Sequence, residues 1–172
     1  MFAANNIIRV FNNGDGIPVE VHKEEGVYVP ELIFGHLLTS SNYDDKEEKV
    51  TGGRNGYGAK LANIFSSEFV VETCDGSRQK RYRQVFRNNM GVKEAPKITA
   101  CKADDNWTCI TFKPDLARFG MDTLDEDICA LMRKRVYDLA GILGKTVKVY
   151  LNGEKLPIRT FQDYVDLYLG PK

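Results

Sequence analysis

The strongest constraint on how this chain folds is a run of period-two patterning that begins at Phe69. Phe69-Val70-Val71-Glu72-Thr73-Cys74 leads into Asp75-Gly76, a hairpin signal, and residues 81–87 then alternate around Tyr82 and Val85. A ribbon of this kind buries one face and must be covered there by a second layer. Residues 7–11, 97–101 and 107–112 are β-branched or aromatic runs that read as further strands.

Helical spacing supplies the cover. Pro30 can open a helix at its first position, with Leu32, Ile33, His36 and Leu37 repeating on one face. Residues 59–65 predict a second helix, with Leu61, Ile64 and Phe65 facing inward. Thr123-Leu124-Asp125-Glu126 reads as a capping box before a helix ending around residues 141–144. Its stripe of Leu124, Ile128, Leu131, Met132, Leu139 and Leu143 is expected to cover the sheet. A second hairpin turns at Asn152-Gly153, and a short helix closes the chain over residues 161–169. This order predicts an α+β fold, a mixed β-sheet with helices on one face, in a single domain over residues 1–172.

At 172 residues the chain can bury a real core without disulfides or a structural metal. Its 24 basic and 24 acidic residues cancel, which excludes an overall electrostatic pull toward nucleic acid or membrane and leaves only local patches. Cys74, Cys101, Cys109 and Cys129 form no Cys-x-x-Cys pair, so they read as reduced, buried and inert. No apolar run approaches the roughly 18 residues of a membrane span, and no signal-peptide pattern is present, so the chain reads as intracellular with no membrane partner. His22 and His36 lack cysteine partners and read as ordinary surface or core histidines, and no residue is assigned to a metal. Arg78, Lys80, Arg81, Arg83 and Arg87 interleave with Tyr82 and Phe86; a charged edge strand is the simpler reading and a DNA-facing edge the alternative. Glu20, Glu24, Glu25 and Glu31 read as a solvated face.

Two glycine clusters remain. Gly53 to Gly58 fails the P-loop pattern, because Ala59 follows, the lysine comes one place late and Leu61 stands where a magnesium-binding hydroxyl belongs. Neither cluster supplies the third glycine of a Rossmann turn. Each can be only a turn. Gly53, Gly56 and Gly58 before a helix can instead aim backbone N–H groups at one anion, and a phosphate fits that arrangement. In the first cluster, Asn12 can form an Asx-turn, or it can present its amide to a base edge that offers one donor and one acceptor, as adenine does.

Three stretches together closely resemble the ATPase region of eukaryotic type II DNA topoisomerases. They are Asn12-Asn13-Gly14-Asp15-Gly16-Ile17-Pro18, the run from Val29-Pro30 to Ser40-Ser41-Asn42-Tyr43-Asp44-Asp45, and Thr51-Gly52-Gly53-Arg54-Asn55-Gly56-Tyr57-Gly58-Ala59-Lys60-Leu61. The resemblance extends through Asn106-Trp107-Thr108-Cys109-Ile110-Thr111-Phe112 to the closing Asp163-Tyr164-Val165-Asp166-Leu167-Tyr168-Leu169. It implies a Bergerat-type (GHKL) two-layer sandwich that binds ATP. In it Asn12 matches the position that reads adenine, and Ser40, Ser41 and Asn42 match residues that contact sugar and phosphates. Gly53, Arg54, Asn55, Gly56, Tyr57, Gly58, Ala59 and Lys60 match the phosphate-wrapping segment, with Arg54 and Lys60 adding charge.

The resemblance also implies a full-length homodimeric enzyme in the nucleus that acts on DNA, with ATP binding closing a dimeric gate. Residues 159–172 would begin the connection to a following transducer domain. Its general-base glutamate and magnesium-holding asparagine belong to a helix upstream of Ile7, so magnesium is expected with the nucleotide but no catalytic residue and no magnesium ligand is assigned within this chain. The expectation is therefore little or no ATP turnover by the chain alone. A non-catalytic nucleotide-binding or interaction module is the alternative.

Overall fold

A computed structural model of the chain describes residues 5–37 and 56–170. They fall into two compact units, residues 6–121 and residues 122–170 together with residue 5.

The first unit is built on an antiparallel sheet. Its strands are β1 (Ile8–Asn12), β2 (Ser66–Asp75), β3 (Lys80–Arg87), β4 (Val92–Lys93), β5 (Lys97–Ala100) and β6 (Trp107–Pro114). They lie in the order β1-β6-β2-β3-β4, with β5 also paired to β3, and every described pairing is antiparallel. The register stacks Phe69 beside Phe86 and Phe112, Val71 beside Gln84 and Ile110, and Thr73 beside Tyr82 and Thr108. Because side chains alternate across a strand, these residues share one face. Helices α1 (Val29–Gly35) and α2 (Gly58–Ile64) pack against strands of that sheet. The core so formed contains Val19, Phe34, Phe69, Val71, Tyr82 and Phe86. Phe69 is its centre, with ring centroids 6.0 Å from Phe34, 6.4 Å from Phe86 and 5.9 Å from Phe112. A buried aromatic of this kind contributes roughly 1.5–3 kcal/mol through its burial.

Several expectations change at this level. α2 turns Lys60 and Asn63 inward, keeps Ile64 half-buried and leaves Leu61 and Phe65 exposed, so two of its three expected inward residues face out. The reason is a buried polar tie: Asn63 Nδ2 donates to the Phe34 carbonyl at 3.0 Å, which fixes the helix rotation against α1. Strand β3 is not an edge, since β2 flanks it on one side and β4 and β5 on the other. Two of its three arginines are neutralised instead: Arg81 pairs with Glu72 at 2.8 Å, and Arg87 with Glu68 and Glu94. The Arg81 guanidinium also lies 5.2 Å over the ring of the half-buried Trp107.

The second unit contains α3 (Glu126–Ile142), the short hairpin β7 (Tyr150–Leu151) and β8 (Glu154–Lys155), and α4 (Phe161–Leu169). Asp125, not Thr123, caps α3 by accepting from the Ile128 N–H at 2.9 Å. The capping box belongs to α4, where Thr160 Oγ1 accepts from Asp163 N–H and Asp163 accepts from Thr160 N–H. Within this unit α3 packs on α4 and β7 around Ala140, Leu156 and Ile158, while Leu131, Leu139 and Leu143 stay exposed. The expected stripe is therefore only partly covered: Leu124 is buried, and Ile128 and Met132 are half-buried. Gly141 lies on the packed face, where a Cβ would lie 2.7 Å from the Tyr164 ring. Among the described residues no helix is long and apolar enough to cross a membrane.

Candidate functional site

Asn12 closes β1 opposite Thr108 of β6, and the glycine-rich segment after it is held in place by three successive residues of β2. The Ile17 N–H donates to Thr73 Oγ1 at 2.9 Å, and the Val19 N–H donates to Asp75 Oδ2 at 2.9 Å. Between them Gly16, at φ +76°, lies so close to the strand that a Cβ would come within 2.1 Å of the Cys74 carbonyl oxygen. Only glycine meets both conditions at once. The Thr73 hydroxyl also donates to the Trp107 carbonyl at 2.9 Å and lies 3.0 Å from Thr108 Oγ1, directly beside the Asn12 pairing.

Asp75 is 4% exposed. Burial pushes its carboxyl up, yet the Val19 and Arg78 N–H groups, together with the Arg78 guanidinium, hold it below the usual carboxylate range. It stays ionised in the folded protein at neutral pH and serves as the anchor for Val19.

Asn12 is exposed, and its Oδ1 accepts from the Gly14 N–H at 3.2 Å, so the Asx-turn is present. A carbonyl oxygen carries two lone pairs, which leaves that oxygen able to accept from a second donor. The turn and a ligand contact are compatible.

The second cluster is described from Gly56 onward. Gly56 has φ +66°, Tyr57 caps α2 without a side-chain hydrogen bond, and Gly58 begins the helix with nothing within 4 Å of where a Cβ would stand. Ala59 is exposed, while Lys60 is 1% exposed and burial lowers its pKa. Both β1 and α2 lie against β6. Ser40, Ser41, Asn42, Gly53, Arg54 and Asn55 lie outside the described residues.

Some of the site was invisible in the sequence. Glu31, expected on a solvated face, is buried in α1 and accepts from Lys93 Nζ at 2.6 Å and from Gln84 Nε2 at 3.0 Å. Burial alone would raise its pKa, but hydrogen bonds from Lys93 and Gln84, the Lys93 charge and nearby His36 lower it. Gln84 in turn accepts from the buried Tyr82 hydroxyl at 2.5 Å. In the sequence Thr73 reads as a strand residue and Asp75 as part of the hairpin turn, whereas Asp75 ends β2; a threonine and an aspartate at the end of an otherwise apolar strand face are the available signal.

No family model matches the chain. It is 65% identical over 165 residues to DNA topoisomerase 2 of Arabidopsis thaliana, an alignment that covers 96% of this chain and 11% of that protein. It superposes on the ATPase region of Saccharomyces cerevisiae topoisomerase II with a TM-score of 0.94 and 57% identity, covering 97% of this chain and 44% of that one. The 43K ATPase domain of Thermus thermophilus gyrase B, in complex with an aminocoumarin, matches at TM-score 0.60 and 27% identity over 81% of this chain and 32% of its own. The chain thus spans about a tenth of the length of the curated relatives it matches, and its fold is the α+β sandwich of the GHKL ATPase domains.

Proposed function

We propose that this chain, which is related over nearly its whole length to the ATPase region of eukaryotic DNA topoisomerase II, is the ATP-binding part of a type II DNA topoisomerase. The observation that carries the proposal is the superposition on the yeast ATPase region across 97% of the chain. The described residues fit the ligand. Asn12 offers an amide with spare acceptor capacity on a loop pinned by Thr73 and Asp75. Gly56 and Gly58 leave the start of α2 open for a phosphate to approach backbone N–H groups. Lys60 lies in low dielectric, where an anionic counter-charge counts for more than in water. Tyr57 and Ala59 complete the described part of the phosphate segment, and Ser40, Ser41, Asn42, Gly53, Arg54 and Asn55 are proposed to complete the sugar and phosphate contacts.

When bound, the triphosphate supplies a hydrolysable phosphoanhydride whose binding biases a dimeric gate in the full enzyme. Magnesium accompanies it, with no ligand assigned in this chain. DNA as substrate of the full enzyme, homodimerisation and a nuclear location are parts of the same proposal. So are a single ATP-binding domain over residues 1–172 and a connection to a transducer domain starting at residues 159–172.

Titration calorimetry with a non-hydrolysable ATP analogue tests the site. Asn12→Ala is expected to weaken the analogue roughly tenfold, the equivalent of about 1.4 kcal/mol, while inorganic triphosphate competes almost as before. Equal losses for both ligands would assign Asn12 to the turn alone, and no binding by the wild-type chain would reject the site. Steady-state turnover by the chain alone is expected to be negligible; magnesium-dependent turnover abolished by Gly56→Val would overturn that part.

A further inference from the structure

Residues after β5 fold back over the β2–β3 turn. The Gly76 N–H donates to Asn106 Oδ1 at 2.8 Å, and a Cβ on Gly76 would come within 2.2 Å of the Ala103 carbonyl oxygen. This close approach carries Cys101 to the end of β2: its N–H donates to the Gln79 carbonyl at 3.1 Å, and its thiol donates to the Asp75 carbonyl at 3.8 Å. Cys74 lies one residue before Asp75, and its thiol donates to Asp105 Oδ2 at 3.4 Å. The Cys101 sulfur thus lies against the backbone of the residue next to Cys74, and both cysteines are free. Their settings differ. Cys74 is sealed, whereas Cys101 is half-exposed and lines a 520 Å³ cavity with Arg81, Lys102, Asp104 and Asp105.

We propose that Cys74 and Cys101 form a dithiol that a small disulfide of the glutathione type oxidises to an intramolecular disulfide. The Cys101 thiolate attacks one sulfur of oxidised glutathione, whose S–S bond breaks; a mixed disulfide forms and one glutathione leaves as its thiol after taking a proton. The Cys74 sulfur then attacks the Cys101 sulfur of that mixed disulfide and expels the second glutathione. Asp105, which already accepts from the Cys74 thiol, takes its proton. Two protein thiols are oxidised, and one oxidised glutathione is reduced to two thiols. The cavity wall mixes Lys102 and Arg81, the latter already paired with Glu72, with Asp104 and Asp105, so it admits the oxidant by access to Cys101 and not by net charge. Burial, with Cys101 and Asp105 adding to it, pushes the Cys74 thiol up to about 12, so Cys74 needs a base before it attacks, and the Asp105 carboxylate is the one within reach. Cys74, one end of the bond, lies on β2 between Thr73 and Asp75, the two residues that hold the loop after Asn12.

The test treats the 172-residue chain with oxidised glutathione and follows intact mass and mapped peptides. Expected are a transient glutathione adduct on Cys101 and then a species about 2 Da lighter than the reduced chain, carrying a Cys74–Cys101 cross-linked peptide. Cys101→Ser should form neither. Asp105→Asn should form the adduct at the wild-type rate but close several-fold more slowly, with a flattened pH profile for closure. An adduct that never closes in the wild-type chain, or a cross-link to Cys109 or Cys129 instead, would overturn the pair; closure of Asp105→Asn at the wild-type rate and pH profile would overturn the role of Asp105. Peptide mapping of the wild-type chain decides the pairing even if a variant fails to fold.

Discussion

Replacing Thr73 with valine isolates the tie that positions the loop after Asn12. Valine keeps the branched shape, so the buried site gains little cavity, but it removes the hydroxyl on which three interactions converge. The Thr108 hydroxyl can rotate to another partner, and the Trp107 carbonyl loses only one of its possible donors. The Ile17 N–H has no such freedom; left without its acceptor it carries a desolvation penalty of about 1–3 kcal/mol. The expected loss is about 2 kcal/mol, read as a lower urea midpoint at unchanged m-value. Thr73→Ser keeps the hydroxyl and deletes one methyl, and should lose only about 1 kcal/mol. Hydrogen exchange should show the Ile17 amide opening far faster in the valine variant than in the serine one. A valine variant within about 0.5 kcal/mol of wild type, or a serine variant no better than valine, would refute the assignment of Thr73 as the anchor.

Two further changes probe the same anchor. Gly16→Ala should destabilise the chain by more than about 2 kcal/mol, since φ is +76° and the Cβ would meet the Cys74 carbonyl oxygen at 2.1 Å; an unchanged melting temperature would contradict the close approach. Asp75 has a folded pKa below its unfolded value near 3.9, so its stabilisation is present above that value and is lost as pH falls through the folded pKa. Asp75→Asn should therefore flatten the stability curve below about pH 4, and a slope equal to wild type would remove Asp75 from that role.

The sheet was legible because each strand needed only its own alternation: Phe69 to Cys74 and Trp107 to Phe112 fall within β2 and β6. Helix faces were less legible. Leu61 and Phe65 outrank Asn63 on any hydrophobic scale, yet a single hydrogen bond from Asn63 to the Phe34 carbonyl turns α2 the other way. The partner lies 29 residues away in sequence, and no local pattern encodes it. Glu31 was misread for the same reason, since its burial depends on Lys93 and Gln84 arriving from a different part of the sheet. The glycine clusters suggested a phosphate site through backbone chemistry, but which residues fix the first cluster depended on strand register.

That register explains why the site and the core cannot be separated. The core-facing positions of β2 are Phe69, Val71, Thr73 and Asp75, successive members of one period-two stripe. The first two pack in the hydrophobic core, whereas the last two receive the N–H groups of Ile17 and Val19. One strand face therefore changes midway from apolar packing to hydrogen bonding, at the point where the sheet meets the loop that follows Asn12. Buried polar residues at such a point must find partners, and loop amides that no strand or helix satisfies are the available ones. Any perturbation that shifts β2 in register or twist moves Thr73 and Asp75 with it, so loop position and sheet stability should change together rather than independently.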